Sequence, residues 1–274
     1  MIDNTIILPG INNARELGGY PAGDRVVKKG VLIRSGSLNK AGPEAVALLS
    51  ERYRVKTIID FRMGSVIDGN PDAEVPGAGN IRLPVVEMED FIARAKPELV
   101  KAYMADKTDK RAMFDLEYES GLLSPEMYLI FLLGERGKKA YREFFRILLA
   151  HDPGAGALLW HCEDGKDRAG LAAMLLLTAL GSDNETIMDD YLLTNAANSA
   201  RLEKLRKDVE SYGMPPDKVE SLLFVSGGVF ERYMTYAIDA LEKRYGSVAG
   251  YLSEELGLTG ADIRLLREKY TTDK

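Results

Sequence analysis

The sequence holds one cysteine, Cys162, two histidines, His151 and His161, and one tryptophan, Trp160, in 274 residues. A single thiol excludes an internal disulfide and a zinc site built on several cysteines. Two histidines ten residues apart form no ligand cluster, so no metal and no other cofactor is implied. An excess of basic residues is also missing: 36 Lys and Arg stand against 42 Asp and Glu, a net charge of -6. That balance argues against nucleic acid or an anionic membrane as a surface-wide partner, and any anionic ligand must be held by local charge. Long apolar runs are absent too. The longest, Ala169–Leu180, is twelve residues and too short to span a bilayer, so no integral membrane segment is expected. Met1–Gly10 lacks the basic and longer apolar regions of a signal peptide, which makes a cytoplasmic location the expectation. Nothing in the composition sets an oligomeric state.

What the chain does have is concentrated in Trp160–Leu180. A short apolar run, Ala157–Trp160, enters it and the apolar segment Ala169–Leu180 leaves it, which reads as strand, loop, then helix. The loop carries Cys162 and, six positions on, Arg168. If it curls, the backbone N–H groups of Glu163 to Arg168 converge on one concavity, with Asp164 and Gly165 in its wall and the positive end of the following helix behind it. An oxyanion fits there, and the planar fork of Arg168 can engage two of its oxygens at once. The same field favours the thiolate of Cys162, which is the nucleophilic form. Taken alone, a lone cysteine at the end of a buried strand is a small core hydrophobe. The full string His161-Cys162-x-x-Gly165-Lys166-Asp167-Arg168-x-Gly170 between a strand and a helix demands much more and favours a catalytic loop.

That string resembles the signature loop of the cysteine-dependent tyrosine and dual-specificity phosphatases. With Gly165-Lys166-Asp167-Arg168 it is most similar to the bacterial atypical branch, the mycobacterial tyrosine phosphatase B-like enzymes, which act on phosphoinositides as well as phosphoproteins. Asn13-Ala14-Arg15-Glu16-Leu17-Gly18-Gly19-Tyr20, Leu32–Leu38, Ile58–Arg62 and Asp190–Asn195 resemble the group's recurring blocks. The resemblance implies a phosphomonoester hydrolase that works through a phosphocysteine intermediate on phosphotyrosine or phosphoserine proteins, and on inositol phospholipids. It implies an α/β fold with a mostly parallel central sheet flanked by helices and an added C-terminal helical layer. No cofactor is needed. In that reading Cys162 is the nucleophile, Arg168 holds the phosphoryl oxygens, and Asp167 and Asp60 are the two candidates for the acid. Asp60 has an alternative as a structural partner of Arg62 or Arg34. Arg34, in turn, is either a buried structural arginine or a substrate contact.

Lys166 adds a second cation at the cradle rim, suited to a ligand with more than one phosphate; otherwise it is solvated or paired with Asp164. His161 orients the cysteine through hydrogen bonds or fills the core. Two features depart from the family pattern. Ala169 stands where a serine or threonine usually follows the arginine, and losing one hydrogen bond to the thiolate weakens it by about 1.5–3 kcal/mol. Slow turnover or a raised pH optimum would follow. Glu163 and Asp164 put two acids in the loop and are expected to face solvent. Both departures keep open an alternative, a binding module that holds phosphorylated ligands and turns them over poorly. A rhodanese-like sulfur transferase is a third class, which Arg168 and Gly170 disfavour.

Along the rest of the chain, Asn12–Gly23 reads as a loop, and Val26-Val27 with Val31–Ile33 as a hairpin. Helices are predicted over Pro43–Arg52, Met88–Met104, Glu126–Leu133 and Lys138–Ala150, and strands over Val55–Asp60 and Ile81–Val86; Gly64–Gly79 reads as a loop. Helices between strands imply parallel pairing. The chain is expected to form a single domain, 1–274, in which 183–274 is a helical extension or a lid. Met214–Gly228 is the hinge-rich candidate for such a lid, with a plain structural bundle as the alternative.

Overall fold

A computed structural model of the chain describes residues 4–106, 116, 118, 124–211 and 216–274. The strands in chain order are β1 (Arg15–Glu16), β2 (Pro21–Ala22), β3 (Arg25–Val27), β4 (Leu32–Ser35), β5 (Thr57–Asp60), β6 (Gly79–Arg82), β7 (Leu158–His161) and β8 (Thr271–Asp273). Five form the central sheet in the order β1-β4-β7-β5-β6, with β4, β7, β5 and β6 parallel and β1 antiparallel at one edge. β7 is the middle strand, and every residue in it is buried. Its continuous apolar character is what a parallel strand covered on both faces requires.

Alternation across the sheet divides the core. Leu32, Ile59, Leu158 and Trp160 belong to one cluster, while Ile33, Ile58 and Leu159 belong to a second on the opposite face. The first face is covered by the long helices. These are α5 (Glu126–Leu133), α6 (Glu135–Ala150) and α7 (Arg168–Leu180), the helix that follows the loop. In α7 every residue from Ala169 to Leu177 is buried, so it is an internal helix whose position the whole core fixes. It ends at Gly181, left-handed at φ 98°, a geometry that favours glycine. The second face is covered by α1 (Pro43–Ala47), which continues into a wider π-helical turn over Leu48–Arg52.

The smaller helices are α2 (Gly64–Gly69), α3 (Met88–Ile92) and α4 (Pro97–Ala105). After α7 the chain is helical in α8 (Asn184–Ala197), α9 (Ser199–Ser211), α10 (Pro216–Val225), α11 (Glu231–Tyr245), α12 (Val248–Glu254) and α13 (Gly260–Tyr270). Helices α12 and α13 pack on α7. This is the expected α/β architecture with its C-terminal helical layer. The predicted Met214–Gly228 hinge begins outside the described residues, and from Pro216 to Val225 it is the helix α10.

Several local expectations are corrected. β3 and β4 do not form a hairpin. The turn through Gly30, at φ 73°, separates them, so that β3 joins β2 and β8 in a small antiparallel sheet while β4 enters the central one. All four residues of β4 are buried, whereas β3 is half exposed. Burial on both faces sends β4 to the interior. Gly64–Gly79 contains the helix α2, and the strand expected at Ile81–Val86 pairs over Gly79–Arg82 instead. The helix expected over Met88–Met104 is two helices, interrupted before Pro97, as proline's restriction on its preceding residue requires.

Candidate active site

The loop between β7 and α7 is shaped from outside, by donors that take its carbonyls one after another. Ser37 N–H donates to the Glu163 carbonyl at 2.9 Å. Asn13 Nδ2 donates to that of Asp164 at 3.0 Å, and Arg34 Nη2 to those of Gly165 at 2.7 Å and Lys166 at 3.3 Å. A peptide plane points its N–H opposite to its C=O. Four successive carbonyls drawn outward therefore turn the amides of Asp164, Gly165, Lys166 and Asp167 to the other side. None of these four amides donates to a backbone acceptor outside the helices and strands, among the described residues. Gly165 makes the curl possible at φ 69°: a Cβ there would lie 2.4 Å from the Ser35 carbonyl carbon.

Arg34 is fully buried and is itself held. Its Nη1 pairs with Asp190, which also accepts from Arg15 Nε at 2.9 Å and Tyr20 Oη at 3.2 Å. Of the two readings left open for Arg34, the buried pair with a carboxylate is the one present. Burial alone would raise the Asp190 pKa, but the charges of Arg15 and Arg34 win and hold it below the usual carboxylate range.

A second buried network lies behind Cys162. Arg62 forks onto Asp60, with Nε at 3.0 Å from both oxygens and Nη2 at 2.7 Å from Oδ2. The same Nη2 reaches Asp72 at 2.9 Å. Asp72 accepts from Leu38 N–H at 2.9 Å, and its other oxygen lies 3.0 Å from His161 Nε2. The opposite nitrogen of that imidazole, Nδ1, is 3.2 Å from the Cys162 carbonyl. Burial opposes the charge on Arg62, yet Asp60 and Asp72 offset it and keep the guanidinium above its ordinary pKa. Burial likewise works to raise Asp72, and His161 and Arg62 overcome it, so that its carboxyl lies below the ordinary value. Asp60, Asp72 and His161 bring ligand-type atoms within 4.8 Å of one another. The Arg62 guanidinium already occupies the space between both carboxylates and supplies the cation that a metal would have supplied.

Cys162 is buried at the exit of β7, with 1% of its surface exposed. Arg168 opens α7. Its Nη1 touches the Phe61 carbonyl at 3.4 Å, Tyr141 Oη holds its own carbonyl at 3.1 Å, and its Nε is buried without a partner among the described residues. A buried donor without a protein acceptor is the natural place for a ligand oxygen. Asp167, the N-cap of α7, accepts from Tyr128 Oη at 2.8 Å and lies 3.4 Å from Lys166 Nζ. Tyr128 in turn meets Tyr191, hydroxyl to hydroxyl, at 2.8 Å. Burial, first, and then the Asp167 carboxylate push the Tyr128 phenol well above its ordinary pKa, so it stays a protonated donor.

Not every residue singled out in the sequence lies where it was expected. Lys166 is neither solvated nor paired with Asp164. It is buried, its Nζ donates to the Phe224 carbonyl at 2.5 Å, and it stands 3.6 Å above the Phe224 ring centre. Its ammonium is turned toward α10, with one of its three N–H donors on the Phe224 carbonyl and the Asp167 carboxylate at 3.4 Å. Glu163 is exposed, and Asp164 is half-buried with Arg201 at 3.9 Å. Both line an open polar groove of about 550 Å³ with Lys40 and Asn12. Asp60 is the partner of Arg62 and not of Arg34. His151 is apart from the site, with Nε2 on the Gly156 carbonyl at 3.0 Å. Ala169 is buried, and its carbonyl accepts from Trp160 Nε1 at 3.0 Å. Sequence reasoning missed Asp72, Asn13 and Asp190 as parts of the site. Asn13 carried one signal, its place in a recurring block. Asp72, in a stretch read as loop, carried none.

Residues 6–272, nearly the whole chain, match the tyrosine phosphatase family. The chain belongs to that family. Among curated relatives it is 30% identical over 264 residues to a protein of Cupriavidus necator provisionally named a tyrosine-protein phosphatase, covering 93% of this chain and 85% of the relative. It is 24% identical over 275 residues to the triple specificity protein phosphatase PtpB of Mycobacterium tuberculosis, covering 95% and 96%. A tyrosine-protein phosphatase of Nostoc commune is 30% identical over 146 residues, about half of each chain. As a tyrosine phosphatase family member the protein is a phosphatase with phosphorylated substrates. No helix among the described residues is long and apolar enough to cross a membrane.

Proposed function

We propose that this phosphatase hydrolyses phosphomonoesters through a phosphocysteine, acting on phosphotyrosine and phosphoserine side chains of proteins. The observation that carries the proposal is the outward pinning of four successive loop carbonyls, which leaves four amides and the unpartnered Arg168 Nε for a phosphoryl group beside Cys162. The Cys162 thiolate attacks phosphorus, the S–P bond forms and the P–O bond to the leaving group breaks. The amides and Arg168 hold the charge on the equatorial oxygens. Asp167 gives its proton to the leaving oxygen, then takes one from the water that cleaves the S–P bond.

Assigning the acid to Asp167 rests on commitment. Both Asp60 oxygens accept from Arg62, whereas Asp167 has one neutral donor, Tyr128, and one cation at 3.4 Å. Asp60 is then a positioning residue. The breadth of substrate follows the name of PtpB, a triple specificity enzyme. Inositol phospholipids are the second substrate class, on one condition: Lys166 must leave the Phe224 carbonyl to meet a second phosphate. Ala169 supports a second reading, a weakly turning-over phospho-ligand binder.

Phosphate release from p-nitrophenyl phosphate, phosphotyrosine and phosphoserine peptides and phosphatidylinositol phosphates, by wild type and Cys162→Ser, tests this. Turnover by wild type alone is expected. Ligand binding by both with turnover by neither would replace the hydrolase with the binding module. Asp167→Asn should slow esters with poor leaving groups more than p-nitrophenyl phosphate; equal loss on both would remove Asp167 from the acid role.

A further inference from the structure

Helix α6 presents one strongly basic face in an acidic protein. Arg136, Lys139, Arg142 and Arg146 are all exposed along it, and Arg82 at the end of β6 faces them. Together they line a groove of about 420 Å³ whose floor is Leu83, Pro84 and Ala140. Glu143 is the one carboxylate in the lining. By contrast, a groove between α8 and α11 is lined by Glu185, Asp189, Glu231, Asp239 and Glu242 with no cation. An anionic segment therefore meets attraction on one face and repulsion on another.

The basic groove is also near the cradle. β6 and β5 pair Arg82 with Asp60, and β5 and β7 pair Asp60 with His161, the residue before Cys162. Two strand spacings put the backbone of Arg82 about 10 Å from that of His161, at the same end of the sheet. From Arg136 to Arg146 the helix runs about 15 Å, the length of some four or five extended residues.

We propose that this groove docks an acidic segment flanking the phosphorylated residue of a protein substrate. The proposal rests on the reading of the cradle given above. The guanidinium groups are not bare: Arg82 pairs with Asp68 at 2.7 Å, Arg136 with Asp90 at 2.9 Å and Arg146 with Glu143, and Arg142 Nε donates to the Glu255 carbonyl at 2.7 Å. These are exposed pairs of small net worth, which a substrate carboxylate can replace at little cost. Lys139 forms no ion pair among the described residues and is the cation most open to a new partner. The apolar floor favours a linear peptide, whose β-carbons and backbone can lie on it, over the headgroups of a flat membrane.

Phosphotyrosine peptides carrying glutamates on one flank, on the other, or replaced by glutamines test the proposal with wild type and with Lys139→Glu/Arg146→Glu. The quantity read is kcat/KM on each peptide divided by that on p-nitrophenyl phosphate, which is too small to span the two sites. Wild type should favour one acidic peptide about tenfold over its glutamine form, and the charge-reversed protein should lose that preference. Raising the salt should erode it in wild type as well. A ratio equal for acidic and neutral peptides, or unchanged in the variant, overturns the proposal. So does binding to phosphatidylserine vesicles that the variant loses while its peptide ratio stays put, since the face would then serve a membrane. If wild type does not turn over p-nitrophenyl phosphate, the hydrolase reading fails separately. The groove is then judged by fluorescence anisotropy with the same labelled peptides: tighter binding of the acidic form to wild type alone supports it, and equal binding overturns it.

Discussion

Two buried ionic networks flank the loop that carries Cys162, and they act on different parts of it. Arg15, Arg34 and Asp190 lie beneath, and Arg34 reaches past its carboxylate partner to hold the carbonyls of Gly165 and Lys166. Asp60, Arg62, Asp72 and His161 lie behind, and among the described residues their hydrogen bond to the loop is the one at the Cys162 carbonyl. In the proposed mechanism the first network shapes the anion cradle and the second aims the nucleophile. Burial of charge repays its desolvation only when every partner is present, so each network carries a penalty for being incomplete. The difference implies, for the proposed mechanism, that phosphate binding and thiol placement are expected to fail separately.

The largest effect should follow from breaking the first network. Arg34→Met leaves Asp190 with one arginine and frees two loop carbonyls, and the loss in urea-unfolding stability should be about 3–5 kcal/mol. Binding of phosphate or vanadate should be lost with it. If Arg34→Met retains wild-type affinity for the anion, the loop is not held from below. Gly165→Ala tests the same shape from within, since the new methyl would press on Ser35; a loss of about 2 kcal/mol or more is expected from strain at positive φ and overlap. Unchanged stability would mean the curl is softer than described.

The second network should give the contrasting result. Asp72→Asn removes one charge from a pair of arginine and histidine contacts, and kcat should fall about tenfold to a hundredfold with KM for p-nitrophenyl phosphate nearly unchanged. Affinity lost in step with kcat would merge the two networks into one. pH sharpens the comparison. Asp190 and Asp72 both titrate below their unfolded range, so the stability they contribute is present above about pH 4 and is lost as pH falls through the lower folded values. Chemical denaturation from pH 7 to pH 3 should show the decline, and Asp190→Asn and Asp72→Asn should each flatten it. The smallest effect is expected from Lys166→Met, which keeps the contact with Phe224 and loses the donation to its carbonyl; activity on phosphopeptides should change about threefold or less.

How much of this was legible in the chain depends on distance along it. The order of Cys162, Gly165 and Arg168 is local, and local spacing between a buried strand and an apolar helix was enough to find the loop. The long helices were legible from their periodicity, as in α6. The two-residue strand β1 and the edge strand β6 carry too few residues for alternation to register, so one was read as loop and the other was displaced. What holds the loop is non-local. Asn13 and Asp164 are 151 positions apart and Arg15 and Asp190 are 175 apart, and no pattern in one sequence connects them. Lys166 shows the same limit, because its neighbours suggested a cation for substrate while its partners, Phe224 and Gly228, lie in α10 and just after it.

The central claim is that Cys162, facing an amide cradle shaped by Arg34 and Asn13, is the atom that takes the phosphoryl group. Rapid acid quench of wild type with an aryl phosphate, followed by mass spectrometry of the proteolysed chain, tests it most directly. The account predicts a phosphoryl adduct on the peptide bearing Cys162 and none in Cys162→Ser. Turnover with no adduct there, or an adduct on another residue, would contradict it.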